Sequence, residues 1–186
     1  MQSAAVPPDV NDLALACVSY VERSLGVTLD FTSDTLSVLD HYLAEAKRVD
    51  RPEAQEIVAR AAAAYFGEVL RRRFECWWFA EGDDITTYQV RFGPVYLAVQ
   101  PYALTATALG LGADDDRDLA GLVIDEDEIE VIGAHLAALP EVTEEEFTKM
   151  TTRFDVLEIV VDQLKARAHA RGHGDVTFED PDYTDA

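Results

Sequence analysis

The sequence is poor in cysteine, in basic side chains and in long apolar runs, and each shortage removes a class of protein. Two cysteines in 186 residues, Cys17 and Cys76, are too few for a disulfide scaffold or a metal knuckle. No apolar run reaches the roughly 18 residues of a membrane span, and the N-terminus has neither a basic stretch nor a small-residue cleavage site. A soluble, cytoplasmic chain without a membrane partner is therefore expected. Only 15 lysines and arginines oppose 36 aspartates and glutamates, a net charge of −21. Such a field repels phosphate backbones, which argues against a nucleic-acid partner, and permits a basic protein partner. The deficit is uneven: residues 1–99 hold 9 basic and 15 acidic side chains (net −6), residues 100–186 hold 6 and 21 (net −15).

Chemical motifs are also scarce. The chain has no G-x-S-x-G, no P-loop and no dinucleotide fingerprint. Asp114, Asp116, Asp118 and Asp125 have the spacing of a calcium loop, but Leu119 stands where the loop needs glycine. His169 and His173 are four apart, yet Gly172 breaks the helix between them and no carboxylate holds the metalloprotease position. No catalytic residue, metal or cofactor is assigned, and a non-enzymatic protein is expected.

What is present is helical periodicity. At 186 residues one domain is expected, able to bury roughly 70% of its unfolded surface. Residues 1–9 read as a loose lead-in, 10–171 as the domain and 172–186 as an acidic, disordered tail. A first amphipathic helix runs from Val10 to Leu25 and ends at Gly26; a second buries Leu36, Leu39, Leu43 and Ala46. The central helix starts near Pro52, with apolar residues Ile57, Val58, Ala61, Ala62, Tyr65, Val69 and Leu70 and three closing arginines that complement its dipole. Glu68 precedes Arg71 and Arg72 by one turn, the spacing of a helix-surface ion pair.

Beyond the helix, Cys76–Phe79, Tyr88–Phe92 and Val95–Val99 read as three strands of an antiparallel meander. Trp77 and Trp78 must then point to opposite sides, one into the core and the other under a helix or on an exposed aromatic surface. Pro101–Leu109 is a short helix and 113–118 an acidic loop. Asp125 and Glu128 form a capping box flanked by the staple Ile124/Ile129, opening a helix that buries Ile129, Ile132, Leu136 and Leu139. Thr143 and Glu146, with the staple Val142/Phe147, open the longest helix, where Phe147, Met150, Phe154, Leu157, Val161, Leu164 and Ala168 form a heptad seam. That seam packs inside the domain or, alternatively, joins two copies through residues 143–170.

The segment Ala64-Tyr65-Phe66-Gly67-Glu68-Val69-Leu70-Arg71-Arg72, followed by Trp77-Trp78 and preceded by Leu29-Asp30-Phe31, resembles a bacterial family of domains of unknown function, over about residues 10–100. Those domains place an "aYxGEvl" helix before a tryptophan-bearing strand. The resemblance carries no catalytic residues and implies a helical accessory or interaction domain, of the kind that accompanies toxin or secretion systems. The expected fold is α+β, mostly helical with a three-stranded meander. The expected function is an acidic protein-binding domain for a basic partner, immunity-like or inhibitory. The alternative is a ligand-binding or enzymatic pocket between meander and central helix, built from Glu68, Trp77, Trp78 and Arg91.

Overall fold

A computed structural model describes residues 6–111, 121–174 and 176–183. Among the described residues, seven α-helices and four strands follow in the order α1 (Pro8–Leu25), α2 (Leu36–Lys47), α3 (Pro52–Arg73), β1 (Cys76–Phe79), β2 (Gln89–Phe92), β3 (Leu97–Val99), α4 (Pro101–Leu109), β4 (Leu122–Ile124), α5 (Glu126–Ala137), α6 (Glu144–Phe147) and α7 (Met150–Ala170). The fold is α+β and mostly helical.

Helix α3 is the centre. From Ala61 to Leu70 every residue is buried, so the helix is enclosed on all sides rather than along one stripe, as an element hydrophobic all round must be. Ala59, Ala61, Ala62, Ala63 and Ala64 present little side chain, which lets α1 and α4 pack closely on it. The Thr105 hydroxyl of α4 donates to the Ala59 carbonyl at 3.0 Å and ties the two helices. Ile57, expected in the buried stripe, is 54% exposed; α4 meets this turn through its neighbours, Tyr102 donating to Glu56 and Thr105 to the Ala59 carbonyl. Phe31, at a φ of +64°, closes the link before α2, and its strained backbone is held by Tyr65, whose hydroxyl accepts the Phe31 amide at 2.9 Å.

The sheet has four antiparallel strands in the order β1-β2-β3-β4, not three. Leu122, Val123 and Ile124 pair with Val99, Ala98 and Leu97. The sequence reading assigned Ile124 to a helix staple, because three residues are too short to show a period of two. The inner face carries Trp78, Val90, Phe92, Leu97 and Val99 against the helices. Phe74, at the end of α3, joins Phe92 of the sheet (5.4 Å between centroids) to Phe154 of α7 (6.0 Å).

The C-terminal half departs from expectation in three places. The helix expected from Thr143 onward is two helices: Thr143 caps α6 by accepting the Glu146 amide, and α7 restarts at Met150. The restart is fixed from another element, since the Asp40 carboxylate of α2 accepts the Met150 amide at 2.6 Å and the Thr151 amide and hydroxyl at 3.1 and 2.7 Å. The seam residues Met150, Phe154, Leu157, Val161 and Leu164 are buried within the chain. In α5, Asp125 caps through the Asp127 amide, but Ile129 is exposed and only Ile132 of the expected stripe is fully buried. Finally, residues 176–183, assigned to a disordered tail, run across the outer face of the sheet and end in a 3₁₀ turn, Asp180–Tyr183. The aromatic side chains Phe178 and Tyr183 supply the apolar contact that a purely acidic tail would lack. The acidic loop of residues 113–118 and the calcium-like spacing lie largely outside the described residues.

Candidate functional site

The alternation of β1 sends its two tryptophans to opposite faces, and the four candidate residues separate with them. On the inner face, the benzene edge of Trp78 lies against α3 at Gly67: a Cβ added there would stand 2.1 Å from Trp78 Cζ2 and 2.3 Å from Cη2. The next residue of α3, Glu68, is 6% exposed and accepts the Trp78 indole N–H at 2.9 Å. Arg71 donates to the same carboxylate through both Nε and Nη2, each at 2.9 Å. Burial pushes the Glu68 carboxyl up, but the bonds from Arg71 and Trp78 and the Arg71 charge outweigh it, so the group stays below its ordinary range. Glu68 is thus partnered and ionised. It holds a helix to a strand, with both oxygens engaged by Arg71 and one of them also by Trp78.

On the outer face, Trp77 stands opposite Arg91 of β2. Arg91 is 4% exposed. Its guanidinium lies 3.4 Å from the centroid of Phe79 and donates through Nε to Gln89 Oε1 at 3.1 Å. Two donors converge on one carboxylate oxygen: Trp77 Nε1 and Arg91 Nη1 reach Asp180 Oδ1 at 2.8 and 3.2 Å. Beside them the Tyr183 ring stacks on Tyr96 (4.7 Å, 11°). The Tyr183 hydroxyl lies 2.7 and 3.0 Å from the carbonyls of Phe92 and Leu97 and accepts the Leu97 amide at 3.2 Å. Burial pushes this phenol up to about 12. The structure therefore unites Glu68 with Trp78, unites Trp77 with Arg91, and keeps the pairs apart. Two hollows border the sheet, about 270 Å³ between α7 and the start of β1 and about 180 Å³ under the C-terminal segment, and none of the four residues lines either. Asp180 and Tyr183 escaped the sequence reading; two aromatics in an otherwise polar tail were the available signal.

A third feature is the arm formed by α5 and α6. Between Leu122 and Phe147 the chain holds nine carboxylates and no lysine or arginine. Eight are exposed. The ninth, Glu128, is buried and clamped by Arg167 and Arg171 of α7. Ile132 and Glu128 thus fasten one side of α5 to the body, leaving Ile129 (44% exposed), Val131 (41%) and Val142 (51%) in solvent among the acids.

Among the described residues no cluster of histidine, cysteine, aspartate or glutamate is placed to hold a metal, and no helix is long and apolar enough to cross a membrane. Burial pushes the Cys17 and Cys76 thiols up to about 12, which keeps both protonated and weakly nucleophilic at neutral pH. No family model matches this chain, and no curated protein or solved structure is significantly similar to it.

Proposed function

We propose that this protein is a non-enzymatic binding domain whose α5–α6 arm docks a basic protein partner. The observation that carries the reading is the composition of one segment, residues 122–147: eight solvent-facing carboxylates, three exposed aliphatic side chains among them and no lysine or arginine within it. Carboxylates alone serve solubility, and in the first turn of α5 Glu126 and Asp127 also complement the helix dipole. Ile129, Val131 and Val142 have no such role. Isolated aliphatics ringed by one sign of charge suit a partner that presents apolar contacts inside a basic rim. Long-range attraction would speed the encounter and the aliphatics would hold the complex. The "aYxGEvl" resemblance, with its implied accessory role, points in the same direction, towards an immunity-like or inhibitory partner of a basic protein.

The test is affinity capture from the native lysate at low salt with the wild type and with an Ile129→Ser/Val131→Ser variant, both exposed positions whose replacement should leave the fold intact. The reading expects a near-stoichiometric basic protein with the wild type and at least a tenfold smaller yield with the variant. Equal retention by both would remove the arm from the interface.

A further inference from the structure

The outer face of the sheet holds a second binding surface, independent of the acidic arm. We propose that it is a recognition groove for an extended peptide of another protein, of the pattern Phe-x-Asp-x-x-Tyr with few other acidic residues, and that residues 176–183 occupy it as a tethered, displaceable stand-in.

The receptor side is built without the segment that covers it. Arg91 is held by Phe79 and Gln89, both in the sheet, so its guanidinium keeps its place when Asp180 leaves, and the β1–β2 register keeps Trp77 on the same face beside it. The segment completes the burial of this guanidinium, whose Nη1 donates to both the carboxylate and the carbonyl of Asp180; stacked on Phe79 and lacking an acid from its own sheet, it is a receptor for an anion. Beside it, the carbonyls of Phe92 and Leu97 and the Leu97 amide form a seat for one phenolic hydroxyl. Tyr96 provides a ring for a second aromatic, edge-on to Phe178 at 5.7 Å. Three side chains of the segment, Phe178, Asp180 and Tyr183, therefore make the recognition contacts, together with the Phe178 amide bonded to the Gly93 carbonyl at 2.8 Å. Glu179 and Asp182 only close the terminal turn on each other, through the Glu179 amide and Asp182 Oδ2 at 2.7 Å.

The chain's own segment is a poor occupant on two counts. Its Val176 and Phe178 form only one side of a hollow of about 180 Å³ whose other walls include Tyr96, Leu164 and the acids Asp125 and Glu128. It also brings the five carboxylates of residues 175–186 onto a chain that carries −16 elsewhere. A peptide keeping the aromatic-aspartate-tyrosine contacts but shedding the surrounding acids meets the same donors with less repulsion. Tethering compensates the segment by an effective concentration on the order of millimolar, so it holds the groove until a better ligand arrives.

The test uses the full chain carrying Asp180→Ala and Tyr183→Ala, titrated with two fluorescent peptides, VTFEDPDY and the charge-reduced VTFQDPNY, with wild type as control. Both peptides should bind the variant saturably, the charge-reduced one more tightly at low salt with the gap closing as salt rises. The wild type should bind at least tenfold more weakly, and adding Arg91→Gln should abolish binding. A folded variant that takes up neither peptide overturns the proposal. A variant that fails to fold shifts the decision to hydrogen exchange in the wild type. There the Phe178 amide should exchange at least 100-fold faster than the β2 amides, and equal protection would make the segment an inseparable part of the fold. A concentration-dependent dimer of the wild type that the peptides dissolve would assign the groove to a second copy instead, and so overturn the foreign ligand.

Discussion

Gly67 shows how one missing side chain sets the join between helix and sheet. Alanine is better than glycine inside a helix by about 1 kcal/mol, and α3 is otherwise rich in alanine. Yet Gly67→Ala would drive a methyl into the edge of the Trp78 ring, which is held against the helix by its bond to Glu68. The expected outcome is a net loss of about 1–3 kcal/mol in chemical denaturation, the size typical of overpacking. A stabilised variant would mean that the ring is free to move. Glu68 adds a pH signature. Its folded-state carboxyl is depressed, so its contribution is complete above the ordinary glutamate value of about 4.3 and is lost as the pH falls through the lower folded value. Stability of the wild type should drop faster than that of Glu68→Gln between about pH 5 and pH 3, read by urea titration. Parallel pH profiles would show that the Glu68–Arg71–Trp78 cluster is not ionic. Nothing in the sequence separates this arrangement from an ordinary surface pair, because the spacing of Glu68 and Arg71 is the same in both; the packing of Trp78 against Gly67 and its bond to Glu68 accompany the burial of the carboxylate, while Arg71 keeps partial contact with water.

At the scale of elements, helices were legible and their meeting points were not. α1 through α4 follow from apolar spacing, Pro52 and Pro101 at first turns, and Gly26 and Gly110 at left-handed ends, although α1 begins at Pro8, inside the expected lead-in. The break before α7 has no comparable local sign. Its cap is Asp40, 110 residues away, and a residue supplied from another helix leaves no mark on the sequence around Met150. Asp40→Ala should remove two amide bonds and cost about 2 kcal/mol, with the loss of helix signal confined to the first turn of α7. An unchanged midpoint would show that the helix restarts unaided. Burial raises the Asp40 carboxyl despite its bonds, so its contribution runs opposite to that of Glu68: full below the ordinary aspartate value, and declining as the pH rises through the folded one. β4 was missed, and the buried stripe of α5 misplaced, for a related reason, although α5 itself and its Asp125 cap are where the sequence puts them. Ile124 and Ile129 satisfy a staple by spacing alone, but strand pairing with Leu97 takes Ile124 into the sheet, and Ile129 is left in solvent.

Over the whole molecule, charge and shape divide the labour. The helical body and inner sheet face bury the apolar side chains, and most of the negative charge falls on the C-terminal half, where the α5–α6 arm and the segment over the outer face lie. The candidate site was half legible. Trp77 and Arg91 are cross-strand partners as a register would allow, but the two-sided sheet divides them from Glu68 and Trp78, a separation that adjacency in sequence conceals. The acidity was plain from composition, whereas the exposed aliphatics within it appear only once α5 is seen fastened through Ile132 and Glu128.

The central claim is that an electrostatic surface binds a basic partner, and ionic strength tests it most directly. With the captured partner purified, its Kd for the wild type should be measured from about 50 to 500 mM salt, a range over which the screening length shrinks from roughly 14 to 4 Å. The account predicts that affinity weakens by tenfold or more, chiefly through a slower association rate. A Kd that stays constant across the series would contradict it.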